Sequence, residues 1–180
     1  MSDPGDTIRR MTTTERAIPP MAAGERDTLD GWLDFYRSTL ARKCAGLTDA
    51  QLRTAAAPPS PITLLGLVQH MAEVERNWFR RVLTGEQAPP IYDPEADPDG
   101  RDGGFDLSPD VTFEEAERIW HREVDRARVN CAGRELDRTS PFMGGEVSLR
   151  WIYSHMVSEY ARHCGHADLV RERIDGATGE

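Results

Sequence analysis

The chain has 180 residues, of which 38% are hydrophobic and 29% charged, and it carries a formal net charge of −9. That length bounds a single domain able to bury a real core, and the composition is globular rather than disordered. The acidic balance excludes a nucleic-acid binder, whose partner demands a basic face, and no apolar run approaches the roughly 20 residues that span a bilayer.

Residues 1–20, "MSDPGDTIRRMTTTERAIPP", lack the apolar core of a signal peptide, so a cytoplasmic protein with no membrane partner is expected. Residues 1–23 are polar, broken by Pro19-Pro20 and without periodicity, and are expected to be a disordered tail preceding a domain over 24–178. From Glu25 the spacing turns helical: Leu29, Trp32, Leu33, Tyr36 and Leu40 recur every three or four residues, up to a stop at Gly46. In "LTDAQL", Thr48 and Gln51 form a capping box for a short turn.

A second long helix is predicted from Ser60 as N-cap and Pro61 as first helical residue. Its apolar stripe is Ile62, Leu65, Val68, Met71, Val74, Trp78 and Val82, and Gly85 ends it. Residues 86–110 are rich in Pro, Gly and Asp and read as a long crossover, which is unusual enough in a compact domain to suggest a lid over a substrate. Thr112 and Glu115 open a third helix, whose stripe is Phe113, Ala116, Ile119, Trp120, Val124 and Ala127. A polar connection containing Gly144-Gly145 leads to a fourth helix, about 147–174, closed by Gly176. No convincing strand alternation is evident outside the loops, so the expected fold is all-α: a four-helix bundle with long second and third connections.

Cys44, Cys131 and Cys164 are few, odd in number and widely spaced, and read as free thiols. Trp32, Trp78, Trp120 and Trp151 read first as core residues, with a ligand pocket as the alternative.

The fourth helix concentrates chemistry, because "SHMVSEYARHCGHADLVRE" holds three of the five histidines together with Glu159. On a helical wheel, Glu159 and His163 fall within about 20° of the apolar Ile152, while His155 and His166 lie about 40–60° to one flank. An unpartnered carboxylate facing a core costs several kcal/mol or stays protonated. A divalent cation removes that cost, since side chains at i and i+4 can reach one ion. His70 borders the stripe of Leu67, Met71 and Val74 and is the natural third ligand, whereas His121 sits among arginines and glutamates without such a pairing. The same pattern also describes a histidine satisfied inside a core and a surface Glu–His contact, so spacing alone leaves both readings open.

Three stretches taken together add a resemblance: "ERDTLDGWLDFYRSTLARKCAGLTDAQL", "SPITLLGLVQHMAEVERNWFRRVL" and "GGEVSLRWIYSHMVSEYARHCGHADLVRERIDG". Over residues 25–178 the chain resembles the DinB/YfiT-like superfamily of four-helix metalloproteins, in the subgroup known as DUF664. In that superfamily one histidine of the second helix and an i,i+4 pair on the last helix bind a divalent metal. The pair is usually two histidines, the second standing before an Arg-Gly-like dipeptide. The matching positions here are His70, Glu159 and His163, the last followed by Cys164-Gly165. Glutamate therefore replaces the commoner first histidine, as is similar in the related mycothiol-dependent maleylpyruvate isomerases.

The resemblance implies a metal set of His70, Glu159 and His163, leaving a coordination position open as in catalytic zinc sites. Zn²⁺ suits these donors best, and Ni²⁺, Fe²⁺ or Mn²⁺ would also be accepted. It further implies a low-molecular-weight thiol cosubstrate such as mycothiol or bacillithiol, and a thiol S-transferase acting on a small electrophilic molecule. His155 could replace Glu159 as a ligand, though its angle is less inward. His166 and His155 are the candidates for orienting a ligand or moving a proton. A metal-dependent hydrolase and a non-catalytic metal-binding bundle are the alternatives. A homodimer is compatible with so small a bundle, although no face identifies itself.

Overall fold

The computed structural model describes residues 16–92, 105, 107 and 110–179. It is a helical bundle, built from α1 (Glu25–Cys44), the short α2 (Asp49–Leu52), α3 (Leu64–Arg76), α4 (Phe113–Cys131) and α5 (Leu149–Asp175). A small antiparallel hairpin, β1 (Thr139–Phe142) and β2 (Gly145–Ser148), precedes α5.

Cross-helix contacts fix the directions. Tyr153 bonds Asp30, Cys164 meets Tyr36 and Lys43 pairs with Asp168, so α1 runs parallel to α5. His70 faces His163 and Phe79 faces Tyr153, so α3 runs against α5. Arg76 pairs with Glu123, and Asn130 donates to the Phe79 carbonyl, so α4 runs parallel to α3. Two parallel neighbours, α3 and α4, require the chain between them to travel the length of the bundle. The 132–148 connection makes no such crossing and is occupied by the hairpin instead.

The core fills with Leu33, Leu40, Leu64, Leu65, Val68, Met71, Trp120, Ile152, Met156 and Tyr160, all buried. Their three- and four-residue spacing is the reason these segments are helices at all, since a helix of this length is marginal in isolation and gains most of its stability by packing such a face. Among the described residues, no helix is long and apolar enough to cross a membrane. Residues 1–15 of the expected tail lie outside those described. Next to them, Arg16 stacks over Phe35 at 4.5 Å and Pro19 is buried.

Four expectations from the sequence need correction. Helix α3 begins at Leu64 with Thr63, not Ser60, as N-cap: the Thr63 hydroxyl accepts from Gly66 N at 2.9 Å. The Ser60 hydroxyl accepts from Ile62 N, a local turn bond that competes with helix initiation. Thr63→Ala should therefore cost about 1 kcal/mol, while Ser60→Ala should stay within about 0.5 kcal/mol; urea titration of the two variants checks the assignment.

Second, the expected continuous α-helix passes into a π-helical segment at Asn77–Val82. The wider turn lets adjacent Trp78 and Phe79 both be buried, Trp78 against His155 and Phe79 against Tyr153. Third, strands exist where none was expected. Met143 (φ 49°) and Gly144 (φ 79°) are both left-handed, as a two-residue hairpin turn requires. Ser140 and Val147 are paired and face inward, and the Ser140 hydroxyl donates to the Leu83 carbonyl. Fourth, the hairpin delays α5, which begins at Leu149 with Ser148 as its N-cap rather than near Val147. At the other capping sites, Thr48 and Gln51 form the full box, whereas Thr112 accepts from Glu115 N and the Glu115 carboxylate turns to Arg118.

Candidate metal centre

Helices α3 and α5 bring together His70, Glu159 and His163, whose donor atoms all lie within 4.8 Å of one another. Helix α5 supplies two of them one turn apart, and the antiparallel α3 presents the third at the same height. His163 is buried, while His70 and Glu159 are partly exposed, so the donors converge near the surface with one side toward solvent.

The two nitrogens of His163 have separate partners. Nε2 lies 3.3 Å from Glu159 Oε2, and Nδ1 lies 3.3 Å from Nδ1 of His166. Burial pushes the His163 pKa down to about 3, with His70, His166 and Arg162 adding to the same effect. The imidazole is thus neutral across the physiological range, the state in which it can donate a lone pair to a cation.

The residues fit a divalent ion by spacing as well as by type. Two donors each about 2.1 Å from one tetrahedral ion lie about 3.4 Å apart, close to the 3.3 Å between His163 and Glu159. Two imidazoles and one carboxylate also match the ligand chemistry of Zn²⁺ and its neighbours.

The remaining sequence candidates surround this group. His166 stands behind His163 on the side away from Glu159. His155 lies outside the group, with Nε2 3.7 Å from Glu159 Oε1 and its ring stacked on Trp151 (4.9 Å) and packed against Trp78 (4.6 Å), which also touches Trp151 (5.2 Å). Burial lowers its pKa, against the pull of Glu159. His121 is exposed on α4 beside Trp120, away from the site.

Two features escaped the sequence reading. Phe105 stacks on His70 at 4.2 Å and 16°, and its carbonyl lies 3.1 Å from where a Cβ of Gly66 would stand. The missing side chain at Gly66 is what lets this part of the crossover approach α3 so closely. Most of the expected 86–110 lid falls outside the described residues, but Phe105 and Leu107 sit over α3 beside the site. The signal available in advance was an aromatic residue directly after Gly103-Gly104 in a Gly- and Asp-rich stretch. The second feature is the tryptophans: Trp78 and Trp120 are buried, whereas Trp32 and Trp151 are exposed.

No curated protein matches the chain, but a family model described as Mycothiol-S-transferase matches residues 28–176. That span takes in nearly all of α1, the whole of α2–α5 and all three converging side chains, and the chain therefore belongs to the mycothiol-S-transferase family, within the DinB/YfiT-like superfamily.

Proposed function

We infer that the protein is a divalent-metal-dependent S-transferase that joins the thiol of mycothiol to a small electrophilic molecule. The observation carrying this reading is the convergence of His70, Glu159 and His163 within 4.8 Å in a chain of this family. A divalent cation, Zn²⁺ by preference, supplies a Lewis acid that favours thiolate over thiol near neutral pH.

The chain's own residues do the rest. His163 offers a neutral Nε2, and Glu159 offers the one negative charge among the three donors, which leaves a bound cation net positive and attractive to a thiolate. His166, through its contact with Nδ1 of His163, fixes that ring's tautomer and orientation. His155 does the same for Glu159, sitting beside the oxygen that does not face His163. Phe105 shields one face of His70 from water and lowers the local dielectric around the donors. His166 and His155 are accordingly positioning residues, not carriers of the reacting atoms.

The test combines metal analysis with turnover. Untagged protein incubated with Zn²⁺ is expected to hold about one ion per chain and to consume an electrophile only when mycothiol is present. Chelation should abolish turnover and Zn²⁺ should restore it. Turnover without thiol would replace this reading with a hydrolase, and absence of bound metal would reject it.

A further inference from the structure

Arginines in this fold commonly end on a carboxylate: Arg37 holds Glu75, Arg76 and Arg80 hold Glu123, and Arg150 holds Glu25. Arg162 of α5 is exposed and, among the described residues, forms neither a hydrogen bond nor an ion pair. The carboxylate nearest to it in sequence, Glu159, faces His155 and His163 instead. Ser158, Ala161 and Gly165, its neighbours on the helix surface, carry no charge. The fold therefore gives this guanidinium no partner of its own.

Its place on the helix is nonetheless specific. With a turn of about 100° and a rise of about 1.5 Å per residue, Arg162 stands about 60° round α5 from Glu159 and within about 5 Å of Glu159 and His163 along the axis. It lies on the flank of His155 and His166, level with the donors and on the side where Glu159 is partly exposed. Its charge also acts across the donor group. Burial is the first cause that lowers the His155 and His163 pKa values, and the positive charge of Arg162 lowers both further.

Charge balance indicates what such a cation serves. A divalent ion, the Glu159 carboxylate and a bound thiolate sum to zero. That thiolate is the one negative charge mycothiol brings, so a further positive charge beside the donors finds its counterpart on the acceptor. We propose that Arg162 is a specificity-determining residue that binds a carboxylate on the electrophilic acceptor, so that the enzyme selects anionic acceptors; the inference rests on the transferase reading above. Arginine suits the task because its planar fork takes both oxygens of a carboxylate. In a chain of net charge −9, a local cation also offsets the general repulsion of an approaching anion.

The test uses two acceptors of nearly the same shape, iodoacetate and iodoacetamide, with mycothiol and the zinc-loaded protein as wild type, Arg162→Ala, Arg162→Lys and Arg162→Glu. In each reaction sulfur bonds the methylene carbon, iodide departs with the electron pair of the C–I bond, and the thiol proton passes to water. In Arg162→Ala, kcat/KM for iodoacetate relative to iodoacetamide should fall about fivefold through KM, the upper range for an exposed ion pair. Arg162→Glu should lower the ratio further, and Arg162→Lys should recover most of it. Raising the salt from about 0.01 to about 1 M should shrink the wild-type preference, because added ions screen an exposed pair. A second arm needs no turnover: propionate, which cannot alkylate a thiol, should bind the zinc-loaded wild type about fivefold more tightly than Arg162→Ala in an NMR titration.

An unchanged acceptor ratio with transfer intact overturns the assignment and leaves the transferase reading standing. If Arg162→Ala slows both acceptors alike and raises the KM for mycothiol, the arginine serves the thiol and the proposal fails. Loss of zinc from Arg162→Ala would also overturn it, by making the residue a support of the metal site. Arg162-dependent binding of propionate without transfer to either acceptor supports the anion site and removes the transferase reading.

Discussion

His163→Ala should lose the divalent ion and reduce mycothiol transfer on the order of a thousandfold, the largest catalytic effect expected from any single substitution here. A Lewis acid contributes several kcal/mol at the reacting centre, and about 1.4 kcal/mol is a factor of ten in rate. Among the three donors His163 is the most committed. It is buried, it is neutral with its pKa pushed down to about 3 by burial, and both ring nitrogens are engaged. Its removal leaves Glu159 and His70 as single donors on two separate helices. Metal content by mass spectrometry and steady-state kinetics with mycothiol check the variant, with far-ultraviolet dichroism to establish that the helices persist. His70→Ala should behave alike. His166→Ala should keep the ion with affinity reduced about 10- to 100-fold, as loss of a group that orients a ligand does. Wild-type metal content and turnover in His163→Ala would remove the site.

The parts of this molecule that could be read in advance are those encoded within a few residues. The stripe joining Glu159 to His163 is such a feature, since both lie one turn apart on one helix. The cap at Thr48 and the helix end at Gly176 are equally local. What escaped depends on tertiary path. The π-helical turn at Asn77–Val82 is a register slip and leaves no trace in composition, because neither proline nor glycine marks it. The hairpin hides because Ser140, one of its two inward residues, is polar and is satisfied by the Leu83 carbonyl from another element. Phe105 reaches His70 only because the crossover runs back along α3 over Gly66, which no spacing rule foretells. His70 itself could be assigned to the site only by its neighbours on the wheel and by family resemblance, as the contact it makes spans two helices.

The same distinction applies to a buried polar network that ties all four long helices together. Arg37 of α1 forms a two-pronged pair with Glu75 of α3, both contacts at 2.8 Å. The Tyr160 hydroxyl of α5 donates to the same carboxylate at 2.7 Å, and Trp120 of α4 donates to that hydroxyl at 2.8 Å. Glu75 is wholly buried and Arg37 nearly so. Burial, with the Glu75 charge, drives the Tyr160 pKa well above its ordinary value, so the hydroxyl keeps its proton and remains a donor.

Glu75→Leu should therefore destabilise the fold by about 3–5 kcal/mol, because it leaves the buried Arg37 guanidinium with only its contact to the exposed Asp34 carboxylate. That is a large share of the roughly 5–15 kcal/mol typical of a whole domain. Arg37→Met combined with Glu75→Leu removes both charges and should recover most of the loss, since apolar replacements of buried ion pairs are often neutral. Stability is then not the chief role of the network. Glu75 lies on α3 five residues beyond His70, and Tyr160 is the immediate neighbour of Glu159. Their hydrogen bond pins the height and rotation of α3 against α5, and with it the approach of His70 to the other two donors. The double variant should consequently unfold near the wild-type urea midpoint yet bind Zn²⁺ about tenfold more weakly, the scale set by loss of groups that orient ligands. Urea titration and zinc competition against a chromophoric chelator separate the two effects. Equal zinc affinity in the double variant and wild type would mean that apolar packing alone sets the register of the site.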